Sequence, residues 1–240
     1  MSRTIHLLCG ATCRTGLRKF ALLLAAAAAL CAQDFDWRLR PRFAPPSVPA
    51  DNPMSAEKVE LGRRLFYDSR LSGNGTQSCA TCHRQELAFT DGLAHAVGST
   101  GQLHPRSSMS LVNIAYAPAL TWADPNLSDL APQALAPMFG TDPVELGLKG
   151  MEQTLLARLR KEPIYQSLFP RVFPQSADPF TVENVTKALA AFERSIISTR
   201  SPYDRYRYDG VEDAISAAAK RGEKLFLSGE KAGCFQCHVG

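Results

Sequence analysis

This sequence has little cysteine, little tryptophan and no lasting excess of charge. Its 240 residues include seven cysteines, five methionines, five histidines and only two tryptophans, Trp37 and Trp122. Cysteine is too sparse for a disulfide-dense mini-protein. The formal charge of +4 comes from Arg3, Arg14, Arg18 and Lys19; the other 23 basic residues balance 23 acidic ones. No basic footprint for a nucleic-acid partner is left. The apolar run at residues 20–30 is too short to cross a bilayer, so no transmembrane span is expected. A hydrophobic fraction of 45% and a mean hydropathy of −0.14 exclude a disordered tail, a collagen and a polytopic membrane protein.

What is present begins with a leader. Arg18 and Lys19 precede the apolar run, small residues follow it, and no acid occurs in residues 1–32. This pattern predicts a signal peptide over 1–32 and a periplasmic protein. Cys31 offers a lipid-anchor site, although Leu30 before it suits neither lipidation nor cleavage. Residues 33–54, with Pro41, Pro45, Pro46, Pro49 and Pro53, read as an extended linker.

Cys9, Cys13 and Cys31 belong to the leader region, which leaves Cys79, Cys82, Cys234 and Cys237. These form Cys79-Ala80-Thr81-Cys82-His83 and Cys234-Phe235-Gln236-Cys237-His238. Cys-x-x-Cys-His is the attachment motif for c-type haem. Two thiols on one helical turn add to the two porphyrin vinyl groups, and the adjacent imidazole reaches the iron. A zinc ribbon would need far closer pairs, a redox pair would want a βαβ setting, and disulfides would not require histidine after each pair. The expected cofactors are two covalently bound haem c groups, with His83 and His238 as axial iron ligands.

An internal repeat accompanies the motifs. Gly62-x-x-Leu65-Phe66 precedes the first, and Gly222-x-x-Leu225-Phe226 precedes the second. Helical periodicity appears behind Ser55 through about Asp68, in Met151, Leu155 and Leu159, behind Thr181 through Ile196, and from Ala214 to Leu227. Residues 90–145 read as irregular, and Ser201 to Gly210 as a hinge. The fold class expected is all-α, with two tandem cytochrome c-like haem domains, the second incomplete. The first would cover 55–200 and the second would start over 201–240.

Together these residues resemble the dihaem cytochrome c peroxidase and MauG family. The resemblance rests on Leu61 to Asp68, Leu71-Ser72, Ser78 to His83, Ala88 to Gly92, Pro105-Arg106, Leu111-Val112-Asn113 and Thr121-Trp122. It continues through Pro143-Val144-Glu145, Ala190 to Arg194 and the second haem motif. The pattern is most similar to MauG-like enzymes associated with methanobactin operons, which oxidise tryptophan in a partner protein.

The resemblance implies roles. His83 would be the proximal ligand of a high-spin, peroxide-reactive haem, and Glu145 the distal acid–base group. Gln133 and Pro137 would line the distal pocket, Trp122 would relay electrons between haems, and Arg106 would contact a haem propionate. His238 would ligate an electron-transferring haem. The expected partners are hydrogen peroxide and either a small redox protein or a protein side chain to be oxidised.

Three departures modify that picture. The activating loop histidine of the family, seven positions before the Pro-Arg arginine, is replaced by Ser99. The His83 haem is therefore expected to be open without prior reduction. Ser107 stands where the family has a calcium-binding asparagine, which weakens the case for calcium. The sixth ligand of the second haem lies downstream of its motif in the family, so the chain reads as a truncated fragment. A different class, a dihaem electron-transfer cytochrome, would need both irons six-coordinate, with a methionine or histidine on the distal side of the first, and Met109, Met138 and Met151 are available.

Overall fold

A computed structural model describes residues 35–121, 124, 126–229 and 231–238. Among these residues the α-helices are α1 (Ala56–Phe66), α2 (Cys79–Cys82), α3 (Leu130–Gln133), α4 (Leu135–Phe139) and α5 (Glu152–Arg160). They continue with α6 (Pro163–Val172), α7 (Val182–Arg194), α8 (Pro202–Asp209) and α9 (Ala217–Phe226). The only β pairing described is two isolated bridges, Arg84 with Thr90 and Val97 with Leu103. The all-α expectation holds. Residues Trp37–Gly240 cluster as one compact unit; of the preceding unit only Phe35 and Asp36 are described. The expected signal peptide and Cys31 lie outside the described residues.

The core is built on α1 against α7. Ser55 starts α1 by accepting the Lys58 N–H at 3.1 Å, and Thr181 starts α7 by accepting the Asn184 N–H at 3.1 Å. Glu57 in the first turn of α1 and Arg63 and Arg64 in its last complement the helix dipole. Leu61, Leu65 and Phe66 of α1 are fully buried, as are Val185, Ala188 and Leu189 of α7. Phe66 meets Phe192 with ring centroids 5.0 Å apart and Phe89 at 6.2 Å. Such aromatic contacts add to plain area burial.

Gly62 makes this packing possible. A Cβ there would lie 1.9 Å from the Ala188 carbonyl oxygen and 2.9 Å from the Phe192 Cβ. The matching glycine of the repeat, Gly222, has nothing within 4 Å of a Cβ. Gly62→Ala is therefore expected to cost about 1–3 kcal/mol through overpacking. Gly222→Ala in the same chain should gain about 0.5–1 kcal/mol of helix propensity. Urea unfolding of the two variants separates these opposite signs, and equal effects would contradict the close α1–α7 approach.

Two differences from the sequence reading have local causes. Within the segment 201–210, read from its composition as a hinge between domains, residues 202–209 form helix α8. Ser201 is its N-cap, Pro202 its first residue, Asp204 Oδ2 accepts the Ser201 N–H at 2.7 Å, and Gly210 closes it in the left-handed region. Turn-like composition was in fact a capping box. The stretch 90–145 holds α3, α4 and a 3-10 turn at Ile114–Tyr116. Asn113 opens that turn at φ 61. Its side chain donates to the Ser198 carbonyl at 3.1 Å and accepts the Ser198 N–H at 2.7 Å, tying the turn to the chain beyond α7.

Candidate functional site

The first Cys-x-x-Cys-His motif folds as one helical turn. The Ser78 N–H donates to Thr81 Oγ1 at 3.0 Å, and the His83 N–H donates to the Cys79 carbonyl at 2.9 Å. This places both thiols and the imidazole on one cavity. Burial raises the Cys79 thiol strongly, helped by nearby Glu193, and raises the Cys82 thiol as well.

The His83 ring is oriented from behind. Its Nδ1 lies 2.9 Å from the Phe89 carbonyl oxygen, so Nδ1–H donates there and Nε2 is left for a metal. Burial holds the imidazole below its ordinary value, which favours the neutral, ligating form. The carbonyl reaches the ring through an unusual turn. Ala88 and Phe89 sit consecutively in the left-handed region, at φ 55 and 58. Non-glycine residues cost about 1–3 kcal/mol each there. The turn is held by the Phe89 N–H on the Arg84 carbonyl at 2.8 Å and by Ser110 Oγ on the Ala88 carbonyl at 2.6 Å.

The cavity has a volume of about 320 Å³, in the usual range for small-molecule sites. Its apolar wall includes Leu111, Ile114, Leu120, Leu130 and Leu189. Gln133, Pro137 and Glu145 line the same cavity, as do Arg106 and Ser107. The structure thus gathers His83, both thiols and four other sequence-predicted residues, Arg106 among them, around one space. Trp122 lies outside the described residues, although its neighbour Thr121 lines the cavity. Met109 and Met138 also line it, whereas Met151, the N-cap of α5, does not.

Glu145 is held by a hairpin-like loop over residues 96–106. The His104 N–H donates to the Ala96 carbonyl at 2.7 Å, and the Gly98 N–H to the Gln102 carbonyl at 2.8 Å. The loop packs directly on the Glu145 segment. A Cβ on Gly98 would lie 1.8 Å from the Val144 carbonyl oxygen. The Ser99 N–H donates to the Glu145 carbonyl at 2.7 Å, and Gln102 Oε1 accepts the Val144 N–H at 2.9 Å. Ser99 is thus a backbone anchor of this segment. His104 Nε2 lies 3.3 Å from Glu145 Oε1. His95 is exposed and its Nδ1 bonds the His104 carbonyl at 3.0 Å.

One residue escaped the sequence analysis as a chemical group. Glu193 of α7 is buried, lines the cavity, and its Oε2 has no hydrogen-bond partner among the described residues. Burial pushes its carboxyl up to about 8 against the pull of Arg194, so it is held protonated at neutral pH. The sequence signal was an acid at helical spacing from Val185 and Leu189, on an otherwise apolar face.

The second motif repeats the first. Cys234–Gln236 form a 3-10 turn, and the His238 N–H donates to the Cys234 carbonyl at 2.9 Å. His238 faces Phe226 with centroids 6.5 Å apart and planes at 48°; His83 faces Phe66 at 6.4 Å and 45°. The repeated Leu-Phe therefore places the same ring beside each histidine. The two sites differ in burial, since Phe66 is fully buried and Phe226 is 38% exposed.

Comparison with known proteins matches this arrangement. Residues 56–213 fit the family described as di-haem cytochrome c peroxidase. A methylamine utilization protein MauG of Methylorubrum extorquens is 41% identical over 203 residues, covering 83% of this chain and 55% of that protein. A cytochrome-c peroxidase of Denitromonas iodatirespirans is 40% identical over 227 residues, covering 92% of this chain and 58% of its own length. The crystal structure of a MauG-like protein associated with microbial copper homeostasis superposes with a TM-score of 0.81 at 43% identity. That match covers 85% of this chain and 58% of the solved one. The chain spans little more than half the length of these relatives. With two haem-attachment motifs set in this fold, the chain belongs to the di-haem cytochrome c peroxidase family.

Proposed function

We propose that this chain belongs to an exported di-haem oxidoreductase that uses hydrogen peroxide to oxidise a partner redox protein or a protein side chain. The observation that carries the reading is the single cavity shared by Cys79, Cys82 and His83 with Gln133, Pro137 and Glu145. Its donor set fits a covalent haem: two thiols on one turn, an imidazole with Nε2 left for the iron, and apolar walls for the porphyrin. Covalent attachment at both motifs, and two haem domains divided near residue 200, belong to this proposal.

A bound haem would supply a redox-active iron able to take up peroxide and accept its oxidising equivalents. The chain's residues do the rest. His83 would hold the iron, and the Phe89 carbonyl fixes its ring. Glu145 takes a proton from one peroxide oxygen and returns it to the other as the bond between them breaks. Gln133 and Pro137 shape the space beside it. Arg106 offers a positive charge to a haem carboxylate. Trp122 carries charge toward the centre at Cys234, Cys237 and His238. The leader supports export, and no helix among the described residues is long and apolar enough to cross a membrane. Ser107 is a cavity residue with a weaker claim on calcium than asparagine would have.

Met109 and Met138 favour a second reading, because both line the cavity and a thioether on the iron would make an electron-transfer centre. One experiment decides between the two. With Ser99 tied to the Glu145 backbone rather than presenting a histidine, the fully ferric, haem-loaded chain is expected to react with hydrogen peroxide without prior reduction. A rapid spectral change on mixing supports the oxidoreductase. A six-coordinate, low-spin ferric spectrum inert to peroxide supports the electron-transfer cytochrome.

A further inference from the structure

We propose that His104 is a positioning residue for Glu145, holding one carboxylate oxygen so that the other can exchange a proton at the His83 haem. The inference rests on the reading of Glu145 given above. Its basis is the 96–106 loop, which grips Glu145 at both backbone and side chain. The backbone grip consists of the Ser99 N–H on the Glu145 carbonyl, the Val144 N–H on Gln102 Oε1, and Gly98 lying flush on the Val144 carbonyl. The side-chain grip is His104 Nε2 at 3.3 Å from Glu145 Oε1.

His104 is itself fixed from two directions. Its N–H donates to the Ala96 carbonyl at 2.7 Å, and its own carbonyl accepts from His95 Nδ1 at 3.0 Å. An ion pair between two mobile surface chains gains little, because ordering them consumes what the contact returns. Here the backbones at both ends are fixed by other bonds, and both side chains line the cavity. A proton carrier must sit within hydrogen-bond reach of the atom it serves. Glutamate has three rotatable side-chain bonds, and the Glu145 side chain is 38% exposed, so a fixed hydrogen-bond partner restrains it. With Oε1 engaged by the His104 Nε2–H, Oε2 is the atom presented for transfer.

Cyanide association with the ferric, haem-loaded chain reads this role without turnover. Hydrogen cyanide is the neutral acid in solution; as cyanide binds the iron its proton passes to the Glu145 carboxylate. Stopped-flow rates are compared for the wild type, Glu145→Gln, His104→Leu, His104→Gln and the double variant His104→Leu/Glu145→Gln. Glu145→Gln should slow association by about 10²-fold or more. His104→Leu should slow it by about tenfold, as loss of a charge-assisted hydrogen bond would. His104→Gln, whose amide N–H can still donate to Oε1, should recover most of the rate. The double variant should be no slower than Glu145→Gln alone, since His104 acts only through that carboxylate.

A wild-type rate in His104→Leu, no recovery in His104→Gln, or multiplying effects in the double variant would each overturn the positioning role. A wild-type rate in Glu145→Gln would overturn the assignment of Glu145 and, with it, the role of His104. Slow Glu145→Gln with normal His104→Leu would overturn the role of His104 alone.

Discussion

Glu145→Gln is expected to lower the rate at which the ferric, haem-loaded chain reacts with hydrogen peroxide by about 10²–10⁴-fold, the usual contribution of one positioned acid–base group. The substitution is nearly isosteric. Its amide oxygen can still accept from His104, and its backbone keeps the bonds to Ser99 and Gln102. The side chain is 38% exposed and the substitution keeps its shape, so stability and haem content are expected to stay at wild-type levels. What the variant would lose, on the proposed role, is the ability to take a proton from one peroxide oxygen and return it to the other. Stopped-flow spectra measure the rate, and the ferric absorption spectrum confirms haem retention. A variant that reacts at the wild-type rate assigns Glu145 no part in the chemistry.

The second large effect is selective loss of one centre. Cys79→Ser/Cys82→Ser removes both thiols of the cavity that holds His83. The denatured protein should then carry one haem, and the spectral response to peroxide should be abolished. Cys234→Ser/Cys237→Ser should also leave one haem, but the response should persist. The asymmetry follows from the surroundings. His83 shares its cavity with Glu145, Gln133 and Pro137, whereas the His238 ring faces the partly exposed Phe226. If both variants respond alike to peroxide, the two centres do not divide the work as proposed.

Much of this was legible in the sequence for local reasons. The haem motif is five consecutive residues, so spacing alone states its chemistry, and one helical turn brings its groups together. Helices α1 and α7 announce themselves by caps at Ser55 and Thr181 and by a buried stripe at helical spacing. Helix α8 was hidden because Ser-Pro-x-Asp serves equally as a turn and as a capping box; tertiary context decided for the cap. The pairing of His104 with Glu145 was invisible for another reason. Its members are 41 residues apart and sit in irregular segments with no periodicity to align them. Glu193 was visible as a motif residue but not as a buried acid, because its environment is assembled from α2, α7 and the cavity rather than from its sequence neighbours.

Everything proposed for the site depends on haem being bound through both motifs. The most direct measurement is the mass of the denatured chain, produced with a c-type maturation system in an exporting host. The account predicts a mass increased by two haems, falling to one in each cysteine-pair variant. A denatured wild-type chain with no haem in its mass would contradict it, and so would a single haem lost equally from either pair.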